Sequence, residues 1–139
     1  MHAVLGVVVV AANLLAGAWG AVCWYRRTPS VWFWYILRVA QASVIVQVLL
    51  GLGLLASGAH KPNGIHYVYG IAPLVVTLVA EGMRVGAAQS EMEDVENLDA
   101  LPHREQVLLA RRVVQREMQV MTIGTLLVLT LVLRALQTG

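Results

Sequence analysis

From His66 to Arg84 the chain reads HYVYGIAPLVVTLVAEGMR, an apolar run interrupted by small and polar residues at a helical interval. At about 100° per residue, His66, Gly70, Pro73, Thr77, Glu81 and Arg84 fall within about 60° of one line. Val68, Ile71, Leu74, Val75, Leu78 and Val79 cover the rest of the cylinder. That apolar surface is too wide to be the inner face of a helix in water. The pattern is that of a helix in lipid, where the polar and small residues mark the side turned toward other helices.

The rest of the chain agrees. Of 139 residues, 58% are apolar and 13% charged, and the mean hydropathy is +0.70. A chain this short cannot hide that much apolar surface inside a water-soluble core. Disorder is excluded by the hydrophobicity, and a disulfide scaffold by the solitary Cys23. A hydrocarbon layer about 30 Å thick needs roughly 20 residues of helix. Segments at about 3–24, 33–57, 66–86 and 118–136 supply them. The last belongs to a longer helix starting near residue 102, where Pro102 suits a first turn. Its roughly 35 residues would measure about 52 Å and stand proud of the bilayer. The predicted fold is therefore all-α: one integral membrane domain over 1–139, with helices at about 3–24, 33–57, 66–86 and 102–136. These form an up-down-up-down bundle of four transmembrane helices with a cytoplasmic helical extension before the fourth, inside a connector at about 87–117. No Lys or Arg precedes the first run, so it reads as a retained membrane helix rather than a cleaved leader.

Sidedness follows from basic residues in short loops. Arg26, Arg27, Arg84, Arg104, Arg111, Arg112 and Arg116 fall on one side, against Lys61 and Arg134 on the other. Seven against two predicts a cell-membrane protein with both termini outside the cytoplasm. The aromatic cluster Trp24, Tyr25, Trp32, Phe33, Trp34 and Tyr35 at the first cytoplasmic turn, Thr28-Pro29-Ser30, matches an interfacial belt. A second turn is expected at His60-Lys61-Pro62-Asn63-Gly64.

Two polar sites emerge. On the inner side, Glu81 lies about 22 Å below His66 along its helix, deep enough to need a partner. Arg38 is the expected partner, with Arg84 near at i+3 and Gln41, Asn13 and Thr77 as further intramembrane polar groups. The pair reads as a structural register lock or as one end of an ion path. On the outer side, His2 and His66 head the polar faces of helices 1 and 3, with Gly6 and Gly70 one turn below each. Two facing imidazoles with small residues beneath would suit haem b, and His2, His60 and His66 together would suit copper or zinc. The arrangement is similar in layout alone to small membrane b-type cytochromes, and no residue role is carried across on that ground.

No phosphate-cradling loop, nucleophile elbow or Cys-His pair is present, so an enzyme is not the expectation. The net charge of +2 is accounted for by the orienting arginines, and nucleic acid is not an expected partner. The leading reading is a non-catalytic accessory or assembly subunit of a larger membrane complex, such as a respiratory one. Its partners would be lipid and other membrane subunits or further copies of itself. The alternatives are a redox or metal-binding protein using His2 and His66, and a small oligomeric transporter using Glu81 and Arg38.

Overall fold

The computed structural model describes residues 2–58 and 64–138, with side chains described from Val4 onward. The described residues form four α-helices, α1 (His2–Arg26), α2 (Val31–Ala56), α3 (Gly64–Met92) and α4 (His103–Thr138), plus one 3-10 turn at Leu98–Ala100. All four are long and apolar enough to cross a membrane. The turn expected around His60, Lys61, Pro62 and Asn63 lies outside the described residues.

Helix α3 runs six residues past the apolar stretch that ends near 86. Ala87, Ala88, Gln89, Glu91 and Met92 are good helix formers with no glycine or proline among them, so the helix outlasts its hydrophobicity. The connector expected over 87–117 is thus α-helical at both ends. What remains is short and internally capped: Asn97 Oδ1 accepts from the Asp99 amide at 3.1 Å, and Gln106 Nε2 donates to the carbonyls of Leu98 and Leu101 at 3.0 Å each. Pro102 sits just before α4, and its carbonyl accepts the first helical bonds from Glu105 and Gln106.

Helix α1 packs on both α2 and α4, and α3 packs chiefly on α4, whereas α2 and α3 touch much less. Small residues make the tight contacts. Gly6, Val9, Asn13, Gly17 and Gly20 are all buried along one face of α1, the face its sequence marks. A Cβ on Gly17 would come within 2.7 Å of Leu126, and one on Gly20 within 2.7 Å of Phe33. On the other flank of α4, Gly124 lies against Ala80 of α3. The interior divides into Cys23, Phe33, Leu37, Ala80, Met118 and Met121 at one end, a layer of Ala12, Ala16 and Ala40, and Val9, Val44, Val128 and Val132 at the other. Most large apolar side chains point outward, among them Val39, Leu49, Leu78 and Leu127. Leu74 is an exception on α3: placed on the outer face by its angle, it packs beside the valine layer.

The α1–α2 turn is closed by backbone geometry and by α4. The Arg27 amide bonds back to Trp24 and the Thr28 amide to Cys23, the paired closure of a Schellman ending, with Arg27 left-handed at φ 53°. Its carbonyl accepts from Gln115 and Arg111 of α4. Gly58, just past α2, takes the same left-handed form at φ 69° without a Cβ to strain it.

Gly20→Ala should cost about 1–3 kcal/mol, because Phe33 and Thr122 are buried and cannot retreat from the added methyl. Gly86→Ala meets nothing within 4 Å and should instead be neutral or stabilise by up to about 1 kcal/mol. Unfolding curves in detergent would separate the two. Equal effects would contradict the close approach of α1 to α4.

Candidate functional site

The α2–α3 contact, sparse in apolar packing, is made at one end by charge. Glu81 of α3 is the hub: Oε1 accepts from Arg38 Nη1 and from Gln41 Nε2, the latter at 2.7 Å, and Oε2 accepts from Arg84 Nε at 2.8 Å. Arg38 Nη1 also reaches Gln41 Oε1 at 2.6 Å. Arg84 passes the network to α4, donating from Nη1 to Glu117 Oε1 at 2.9 Å, and its guanidinium carbon lies 5.8 Å from the centre of the Trp34 ring. Two arginines and two glutamates thus balance across three helices. Arg38 is the outermost member, with its side chain 53% exposed, and Glu117 the most enclosed at 16%.

Helical spacing explains how the members meet. Arg38 and Gln41 are i and i+3 on α2, Glu81 and Arg84 are i and i+3 on α3, and each pair presents a single patch to its neighbour. A carboxylate with donors on both oxygens, set among apolar helices, is held in one orientation. It has little freedom to hand on a proton or an ion. Farther out, Arg112 and Glu91 approach to 3.9 Å, a looser surface pair.

Other polar side chains inside the bundle turn inward too, but they bond to their own helices. Asn13 donates to the Val9 carbonyl at 2.8 Å, Thr77 to Pro73 at 2.8 Å, Thr122 to Met118 at 2.7 Å and Thr125 to Met121 at 2.6 Å. Each hydroxyl or amide is satisfied within its own helix, so these residues do not string together into a polar path.

At the opposite end, α2 and α3 stand apart as the walls of a cavity of about 330 Å³, floored by α1 and α4. His66 and Gly70 line it, together with Gln47 and Pro73. Gly6 also borders it; a Cβ there would meet the end of the Leu136 side chain at 3.0 Å and Gln47 at 3.7 Å. Beside Gly70 nothing stands within 4 Å. The side chain of His2 and all of His60 lie outside the described residues, so the two-histidine and three-histidine sets are represented here by His66 alone. Among the described residues no group of three or more His, Cys, Asp or Glu side chains gathers to hold a metal.

Sequence reasoning missed Glu117 and Trp34 as members of the charge cluster. Glu117 was legible in principle, since it lies one turn before Met121 on the buried edge of α4. No family model, no curated protein and no solved structure matches this chain.

Glu81→Leu alone should destabilise the protein by about 1–3 kcal/mol, because Arg38 and Arg84 lose the carboxylate they share, although Arg84 keeps Glu117 and Arg38 keeps Gln41. Combining it with Arg38→Leu or Arg84→Leu should fall short of additivity by about 0.5–3 kcal/mol. A double-mutant cycle in detergent measures this, and strict additivity would show that the groups do not couple.

Proposed function

We propose that the chain is a multi-pass cell-membrane protein acting as a non-catalytic accessory or assembly subunit. It is an up-down-up-down bundle whose arginine-rich ends face the cytoplasm and whose termini lie outside. The observation that supports this most is the closed charge network. Glu81, Arg38, Gln41, Arg84 and Glu117 use their charges and hydrogen bonds on one another, which suits a lock on helix register rather than a reacting or conducting group. A transport path through Glu81 has less support, since Asn13 and Thr77 spend their donors on their own backbones.

The docking element in this reading is the first half of α4. Its 36 residues amount to about 54 Å of helix, more than the bilayer core requires. The excess carries Arg104, Arg111, Arg112 and Arg116, opposite a connector rich in Glu91, Glu93, Asp94, Glu96 and Asp99. Such a segment offers both charge signs to a partner subunit or to a second copy of the chain, together with arginines for anionic headgroups.

In mild detergent extracts of native membranes, the protein should run in a complex with a partner at fixed stoichiometry. Replacing Arg104, Arg112 and Arg116 with alanine should release it without lowering its melting temperature. Recovery of the chain as a free monomer from untreated membranes would oppose this role. Solute flux into proteoliposomes that Glu81→Gln abolishes would favour transport instead. A reporter fused after Gly139 should be active only outside the cytoplasm.

A further inference from the structure

We propose that the polar cavity at the α1–α2 corner binds the head of an anionic phospholipid that carries no amine. This rests on the membrane placement proposed above and adds a ligand to it. The cavity, about 360 Å³, lies where the end of α1 meets α4, and is lined by Trp24, Arg27 and Thr28 from the corner and by Gln115 and Gln119 from α4.

Positive charge converges on it without an acid to meet it. Arg27 is itself a lining residue. Arg111 reaches its rim, with Nη2 donating to the Arg27 carbonyl at 3.2 Å, and Arg116 Nη1 donates to Gln119 Oε1 at 3.3 Å. No carboxylate is among the described lining residues, and none of these three arginines forms an ion pair with a described Asp or Glu. Glu117, next to Arg116 in sequence, is engaged by Arg84, and Glu91 lies beside Arg112. The corner thus differs from the Glu81 cluster, where arginines and glutamates balance. Guanidinium groups brought together unpaired repel one another, and a bound anion relieves that repulsion. The Thr28 hydroxyl and Gln119 Nε2 make no hydrogen bond among the described residues and add neutral donors. This donor set suits a phosphate, whose oxygens accept paired arginine bonds. An ammonium on the same head, as in choline or ethanolamine, would find no counter-charge there.

The surroundings favour a lipid over a free phosphate. Trp24 at the cavity, and Trp19, whose Nε1 donates to Ser30 Oγ at 3.0 Å, belong to the aromatic belt expected at headgroup depth. Two turns along α4 from Gln119, Leu126 lies against Gly17 of α1 and stays 40% exposed. The α1–α4 seam therefore passes from a polar cavity to an apolar surface on which an acyl chain can lie.

The test uses the purified full chain in detergent, offered phosphatidylglycerol and phosphatidylcholine with identical acyl chains at equal concentration; the lipid that co-elutes with the protein is extracted and quantified. Phosphatidylglycerol should be retained about tenfold more. Arg27→Asn combined with Arg116→Gln should erase most of that excess, asparagine being a residue that tolerates the left-handed backbone at 27. Lys61→Gln combined with Arg134→Gln removes the same charge from residues the sequence puts on the opposite side, and should preserve the excess. Should the first pair fail to fold, Gln119→Glu decides: it puts a carboxylate among the lining residues and should abolish the preference. Equal retention of the two lipids, an excess that survives the cavity changes, or an equal loss in both paired variants overturns the proposal. Displacement of the phosphatidylglycerol by an equal concentration of glycerol phosphate would assign the cavity to a soluble phosphate and overturn it too. Extraction of the chain from membranes by alkaline carbonate would instead overturn the membrane placement, a failure visible before any lipid is added.

Discussion

Everything in this bundle is arranged around one carboxylate. In a helix packed among apolar neighbours, an ion without partners costs several kcal/mol, and Glu81 answers with donors on both of its oxygens drawn from two helices. The extension from Arg84 to Glu117 brings in a third. Because α2 and α3 share little apolar packing, this cluster is what fixes their relative rotation at that end. Packing alone would leave the choice open, since sparse dispersion contacts between smooth apolar helices discriminate poorly between one rotation and another. Hydrogen bonds with short, directional geometry do discriminate.

Contrast the two ends of the α2–α3 seam. At the Glu81 end the helices are joined by polar side chains. At the His66 end they part around a cavity, with α3 turning its Pro73 toward the gap. One helix pair therefore combines a fixed point and an opening, and the fixed point lets the opening exist without the pair drifting apart. The interior alanine and glycine contacts of α1 with α2 and α4 provide the rigid floor beneath both.

Much of this is legible in the chain itself. Periodicity placed the inner face of α3 and that of α1, because on both helices small and polar residues keep to one side and large apolar ones to the other over many turns. It also brought Arg38, Gln41, Glu81 and Arg84 to one end, since their positions along helices α2 and α3 are simple counts. The rest failed for identifiable reasons. The end of α3 was set too early because hydropathy falls at Gly86 while helix propensity does not. Glu117 was overlooked because it is embedded among Arg111, Arg112 and Arg116 and reads as one more exposed charge. Spacing along α1 also cannot say that Leu136 of α4 comes to lie beside Gly6. Nor could spacing reveal that Asn13 and Thr77 would bond inward to their own turns rather than across the bundle.

The Arg27 carbonyl has a temporal meaning. Its two donors, Arg111 and Gln115, follow it by 84 and 88 residues. At a synthesis rate of about 5–20 residues per second, the ribosome delivers them roughly 4 to 18 seconds after the turn itself emerges. Until then the left-handed corner is closed by its own backbone bonds alone, and the arrival of the final helix supplies the side-chain donors that secure it.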